Sequence, residues 1–395
     1  MFDKLPSGLR KATNLTRAGR LMDATASIQL LLTGRAQPLQ DPARGAHEQP
    51  TIDPPTIDGH AERVSAPAAA VNDAIVKHAP SLRARPPLGD MIRERTKPKL
   101  PAIATKKGAQ FLASTVGNRA GSRTYKLYVP SGYRVGEPVS LVVMLHGCTQ
   151  TPDDFAAVTR MNELAESGNF LVVYPAQTQS ANRQKCWNWF NVADQARDAG
   201  EPSLIAGITR EVIADYSVDA ERVFVAGLSA GGAAAAIMAN AYPDLYAAVG
   251  IHSGVACGAA RNMPSAFAAM RAGASGPRAG TIVPTIVFHG DQDTIVNPRN
   301  GDAILLQSAS DAVARTRVEV GQVPNGRSYT RAVHGDASER TVVEHWVVRG
   351  ATYAWSGGSP SGSYTDPQGP NASAEIVRFF LETAAHKGRA RRSGR

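Results

Sequence analysis

"RVFVAGLSAGGAAAAIMANAYP", Arg222 to Pro243, holds the residues on which the reading of the fold turns. Val223 to Ala226 form a short apolar run suited to a buried strand, and the alanine-rich stretch from Ala230 favours a helix. Between them lies "GLSAG", Gly227 to Gly231. A strand that turns straight into a helix needs a strained junction, and flanking glycines let the backbones approach closely. Ser229 at the apex would then project its hydroxyl above the end of the sheet, where a nucleophile belongs. The same residues could make a glycine turn with a capping serine. The strand before and the helix after favour the nucleophile.

The pattern repeats in both directions. "RTYKLYVP", "VSLVVMLHG", "FLVVYP", "AAVGIHSG", "PTIVFHG" and "HWVVRG" read as strands. "PDDFAAVTRMNELAESGN", "SLIAGITREVIADY" and "ASAEIVRFFLETAA" read as helices. Short buried strands alternating with helices imply an α/β fold, a mainly parallel sheet covered on both faces. Ligands bind such sheets beyond the carboxyl ends of the strands. His146, Ser229, His252, His289 and Asp293 all sit just after apolar runs.

A nucleophilic serine needs backbone donors for the oxyanion that develops on the attacked carbonyl. Ala230 follows the serine and supplies one N–H. The loop "LHGCTQ", Leu145 to Gln150, supplies the second, from Cys148. His146 reads as a structural hydrogen-bonding residue. "VFHGDQDTIV" offers Asp291 and Asp293 as the acid, one facing the site and the other capping a turn.

The stretch from about Thr124 to Phe380 resembles the poly(3-hydroxyalkanoate) depolymerase family of esterases, which have the α/β-hydrolase fold. The resemblance rests on "LHGCTQTPDDFA", "VVYPAQ", "CWNWF", "GLSAGGAAAA", "HGDQDTIV" and "AWSGGSPSGSYTDPQGP", which occur in the family's order. It implies a serine esterase acting through an acyl-enzyme, with a polyester or short-chain hydroxyacyl ester as substrate. It also implies that the acid is Asp293, four residues after His289. The histidine of the family stands one residue before "AWSGG"; here that residue is Tyr353.

A phenol with a pKa near 10 is a poor acceptor for a serine proton at neutral pH, whereas an imidazole near 6.5 suits the task. His345 lies eight residues earlier on the same strand, on the order of 20 Å away at about 3.3 Å per residue. His334 and His386 fall at the wrong end of the sheet, and His47, His60 and His78 in a linker. His146, His252 and His289 are the candidates to replace the missing base. Two further readings therefore stand beside the depolymerase. One is a catalytically impaired member that binds polymer or a partner, and the other is a feruloyl or acetyl-type esterase.

Trp187, Trp189 and Phe190 in "CWNWF" and Trp355 in "AWSGG" lie in loops and are expected either to wall the substrate cleft or to pack those loops. No cofactor or metal is called for. Three cysteines, Cys148, Cys186 and Cys257, are too few and too scattered for a zinc site or a disulfide framework. Cys148 and Cys186 are the pair that would bridge across the site in an oxidising compartment, and in a cytoplasmic protein they are expected to be thiols.

The remaining residues set the surroundings. In 395 residues the formal charge is +9, with much of the excess in "SLRARPPLGDMIRERTKPKL" and "HKGRARRSGR". These read as solvated arms, and without a recognisable binding motif no nucleic-acid partner is expected. Residues 1–36 show apolar positions at helical spacing, among them Leu15, Leu21, Met22, Ile28 and Leu31. Residues 37–108 are a Pro-rich and then basic linker, 109–384 the esterase domain and 385–395 a basic tail. No apolar run is long enough to span a bilayer, and no signal peptide is evident. The N-terminus resembles the leader of unsecreted bacterial members of the family, which implies a cytoplasmic protein. Residues 9–34 could then dock on the apolar surface of a storage granule.

Overall fold

A computed structural model describes residues 106–393, apart from 278–280, 282 and 310–312. The helix expected within 9–34 and the linker up to 105 lie outside the described residues.

The apolar runs form one ten-stranded sheet. Its strands are β1 (Gln110–Asn118), β2 (Gly121–Val129), β3 (Val139–Leu145), β4 (Leu171–Pro175), β5 (Val218–Leu228), β6 (Ala248–His252), β7 (Thr285–Gly290), β8 (Val313–Gln322), β9 (Ser328–Asp336) and β10 (Thr341–Val348). They lie in the order β1-β2-β4-β3-β5-β6-β7-β10-β9-β8. The six strands from β4 to β10 in that order run parallel, and the two outer strands on each side are antiparallel. Two short strands, β11 (Trp355–Ser356) and β12 (Thr365–Asp366), form a separate pair.

The helices are α1 (Pro152–Thr159), α2 (Met161–Gly168), α3 (Gly200–Asp215), α4 (Ala230–Ala241), α5 (Met263–Ala272), α6 (Arg299–Ser308) and α7 (Ala372–Ser393). Residues alternate along each central strand into one of two cores, as a sheet covered on both faces requires. Leu141, Val143 and Leu145 pack with Ile205, Ile237 and Ile304 beneath α3, α4 and α6. Val142 and Met144 pack with Phe155, Met161, Ile376 and Phe379 beneath α1, α2 and α7.

Within the described residues the expected strands and helices appear, with differences at their margins. The single helix expected over 152–169 breaks at Arg160, whose φ of 52° caps α1 and starts α2. α7 continues through the expected basic tail to Ser393. β1, β8, β9, α5 and α6 are additions. β8 and β9 are rich in polar and charged residues and hold no long apolar run, as suits strands at a sheet margin.

A cavity of about 370 Å³ lies at the start of β7, lined by Tyr246, Val283, Asp336 and Phe379 among others. It shares no residue with the surroundings of Ser229.

Candidate active site

Ser229 sits between β5 and α4 with φ 58° and ψ −119°, a conformation that few non-glycine residues adopt. Glycines on both sides allow it. A Cβ on Gly227 would lie 2.3 Å from the Gly231 carbonyl oxygen, and one on Gly231 would lie 2.0 Å from the Leu145 carbonyl oxygen. The Ser229 N–H donates to the His252 carbonyl at 2.9 Å, which ties the turn to the end of β6. The Gly-x-Ser-x-Gly spacing is thus the sterically required one.

Gly227 pairs with Leu145, so the loop after β3 lies beside this turn. Neither the Cys148 N–H nor the Ala230 N–H donates a hydrogen bond among the described residues. The loop is braced from several directions. Gly147 N–H donates to Gln150 Oε1 at 2.9 Å, and Gln150 Nε2 donates to Asp154 and Ser363. His146 donates from Nδ1 to the Gly147 carbonyl and accepts at Nε2 from the Gln177 N–H, which makes it a brace. Burial lowers its pKa to about 4, partly offset by that carbonyl, and holds the ring neutral.

One expectation is overturned here. Cys148 and Cys186 form a disulfide, with their Cα atoms 4.2 Å apart. The chain from Gln184 to Trp187 folds back over the loop, with Thr149 N–H donating to the Gln184 carbonyl and Trp187 Nε1 donating to the His146 carbonyl. That double attachment brings together two cysteines that looked scattered. Cys257 stays a buried thiol.

The two aspartates of the β7 turn separate as alternatives. Asp291 faces the outer turn, where it accepts from the Gly350 N–H at 2.7 Å and lies 3.6 Å from Arg349. Asp293 is buried and accepts the Ile295 and Val296 N–H groups at Oδ1. Its Oδ2 lies 3.5 Å from His289 Nε2 and has no hydrogen-bond partner. An unpaired carboxylate oxygen in a core is costly unless something is meant to meet it.

Tyr353 comes up beside this carboxylate. Gln292 N–H donates to the Ala351 carbonyl at 3.0 Å, and Gly290 has no Cβ to obstruct the passing chain. The phenol faces Ser229 and packs edge-on against Tyr364. Burial pushes its pKa far above the ordinary phenol value, and the Ser229 hydroxyl offsets only part of that rise. Tyr353 makes no hydrogen bond to Asp293 Oδ2, which has no partner among the described residues.

The histidines offered as replacements for the base are all engaged elsewhere. His252 accepts the Ser356 N–H at Nε2 and stacks between Phe288 and Trp355. Burial, helped by His289, lowers its pKa to about 3. His289 donates from Nε2 to the Val296 carbonyl, and its free Nδ1 points at Gly301 in α6. His345 packs under the same helix and lies 3.9 Å from Asp302, while His334 bonds Thr316 on β8. His386 is on the exposed side of α7. His47, His60 and His78 lie outside the described residues.

The tryptophans pack loops rather than wall a cleft, which corrects the first of their two expected roles. Trp187 and Trp355 are fully buried, and Trp189 is nearly so. Each of the first two spends its N–H inside, Trp187 on His146 and Trp355 on the Ser373 hydroxyl at 3.0 Å. Phe190 packs edge-on against Trp189. Three supporting residues escaped the sequence reading. Glu201 is buried and gathers Arg123, Gln177 and Asn188 beneath the "CWNWF" loop. Gln150 and Tyr364 link the oxyanion-side loop to the loop that carries Tyr353. Gln150 stood within a quoted motif, but nothing in its spacing marked it as a brace.

Comparison with known proteins agrees with this geometry. Residues 123–312 match the family described as Esterase PHB depolymerase. The chain is 32% identical over 251 residues to poly(3-hydroxyalkanoate) depolymerase C of Paucimonas lemoignei, covering 60% of this chain and 59% of that protein. It is 29% identical over 232 residues to feruloyl esterase B of Neurospora crassa, covering 54% and 77%. Against the probable acetylxylan esterase A of Aspergillus clavatus it is 30% identical over 224 residues, covering 50% and 70%. The chain therefore spans less than two thirds of the depolymerase. Among solved structures, an acetyl xylan esterase from Aspergillus awamori superposes with a TM-score of 0.52 at 20% identity, over 69% of this chain and 99% of that one, which shows a shared fold. The strand-to-helix serine turn, the loop beside it and the matched sequence agree: this chain belongs to the Esterase PHB depolymerase family.

Proposed function

We propose that the protein is a serine carboxylic-ester hydrolase of the polyhydroxyalkanoate depolymerase type, slowed by the tyrosine at the base position. Ser229 attacks the ester carbonyl, and the Cys148 and Ala230 N–H groups hold the oxyanion. Asp293 is the acid that would orient a base. Tyr353 stays protonated and cannot take the Ser229 proton, so acylation and deacylation both lack a proton acceptor. The observation that carries this reading is the unpaired Asp293 Oδ2 beside Tyr353: the acid is poised, and its partner is missing.

Hydrolysis of a short-chain p-nitrophenyl ester by the parent, Ser229→Ala and Tyr353→His tests it. The parent should be slow, Ser229→Ala should remove what remains, and Tyr353→His should gain Ser229-dependent turnover. A parent rate unchanged by Ser229→Ala, or no gain from Tyr353→His, overturns it. The relatives named for feruloyl and acetylxylan esters support a second reading of the substrate. A panel of hydroxybutyrate oligomers, acetyl esters and feruloyl esters assayed on Tyr353→His decides between them.

The Cys148–Cys186 disulfide supports an oxidising compartment over the cytoplasm, and with it weakens the storage-granule role for residues 9–34. Thiol titration of protein trapped with alkylating agent directly from cells separates the two settings. Among the described residues, no helix is long and apolar enough to cross a membrane.

A further inference from the structure

β8 is the edge of the sheet, and its outer side pairs with nothing among the described residues. Long edge strands invite pairing, and most proteins blunt them. This one carries an exposed apolar face instead: Val318 is 59% and Val320 80% exposed. Its opposite face carries charge in a fixed order. Arg378 on α7 pairs with Glu344 on β10 at 2.7 Å, and Glu344 pairs with Arg331 on β9 at 2.8 Å. Arg331 pairs with Glu319 on β8 at 3.1 Å, and Glu319 with Arg317 at 2.9 Å. The charges alternate in sign across the sheet, and the ladder stops at the edge.

We propose that β8 is a self-association surface, pairing antiparallel with β8 of a second copy about a two-fold axis through Val318. In that register Arg317 faces Glu319 of the second copy, and Glu319 faces its Arg317. The alternation then continues across the junction, with two opposite-sign cross-strand pairs on one face. On the other face Val318 meets its own counterpart and Val320 meets Thr316. Arg315 falls opposite Gly321, whose face is covered by the Tyr329 ring. Centring on Arg317 sets that residue against its own counterpart, although Arg315 then faces Glu319, and centring on Glu319 sets Glu319 against itself. Of these registers the one through Val318 has no like-charge pair. The strand is therefore self-complementary in one register, as a two-fold interface requires.

Sedimentation velocity on the full chain, across a concentration series, should show a monomer–dimer equilibrium. Arg317→Glu should weaken the dimer by placing like charges opposite each other, and the double variant Arg317→Glu with Glu319→Arg should restore it. Circular dichroism on the same samples shows that each variant is folded. Cysteine pairing then reads the register. Val318→Cys should cross-link to itself under mild oxidation. Val320→Cys should not, because its counterpart lies four residues along, about 14 Å away. A parent that stays monomeric throughout the series, a double variant no tighter than Arg317→Glu, or equal cross-linking at the two positions overturns the proposal.

Discussion

The two halves of the site have been held to different standards. On the nucleophile side every element is sterically determined: two glycines fit where no side chain could, and the oxyanion-side loop is tied down by a disulfide, a histidine and a glutamine. On the acid–base side the scaffold is just as complete, since Asp293 is buried, fixed by two N–H groups and overlaid by the loop that should bring a base. Yet the residue delivered there is a phenol. Under the proposed mechanism the backbone on both sides holds its shape, and the phenol leaves chemistry on the serine side alone. Shape is maintained by many contacts and survives one substitution; proton transfer depends on a single group and does not.

The largest effect that could break this contrast comes from restoring the base. Removing one member of a serine triad typically costs about 10⁴–10⁶ in turnover. Tyr353→His should recover a gain of at least about 10³ if the acid–base half is preorganised. Steady-state kinetics against the parent measures it. A gain below tenfold would mean that the half only looks complete, and that Asp293 is not positioned for an imidazole.

The next effect bears on the nucleophile side. The disulfide closes a loop with a sequence separation of 38, and cross-links of that span contribute about 4 kcal/mol on the chain-entropy account. Cys186→Ser should lower the melting temperature clearly and, in the Tyr353→His background, reduce turnover by loosening Cys148. If turnover holds while stability falls, the loop is fixed by Gln150 and His146 alone. Gly231→Ala should follow at about 3 kcal/mol of lost stability, since its Cβ would meet the Leu145 carbonyl, which is backbone and cannot step aside. Urea denaturation checks it.

How much of this was legible in the sequence follows from where each feature gets its cause. The serine turn was readable because its requirement is local: a strand, a junction without room for side chains, and a helix. The central strands were readable because burial on both faces leaves an apolar run. β8 and β9 were not, because strands at the margin carry polar residues and resemble loops. The Cys148–Cys186 pair was legible as the one able to bridge, but the expected reducing compartment argued for thiols, and the laying of one loop over the other by Trp187 and Thr149 is a fact of three dimensions. The tryptophans' packing role was one of two open readings, and only the depth of their loops decides it. Asp293 over Asp291 was implied by family resemblance, whereas its unpaired oxygen is a fact of three dimensions.

The smallest effect sharpens the comparison by acid. His146 braces the oxyanion-side loop and His252 braces the loop that follows Tyr353, so each half rests on one buried neutral imidazole. Their pKa values are lowered to about 4 and about 3, below the ordinary histidine value that both regain on unfolding. The unfolded chain therefore binds protons more readily, and stability is complete above about pH 6.5 and lost as the pH falls toward the folded values. Each histidine contributes a slope of up to about 1.4 kcal/mol per pH unit within that window. Melting temperatures from pH 7 to pH 4.5 should decline, and His252→Asn should remove one proton's share of the decline. Should that variant leave the slope unchanged, His252 is already charged or exposed when folded. The loop carrying Tyr353 would then be held by Trp355 and Tyr364 without the imidazole beneath it.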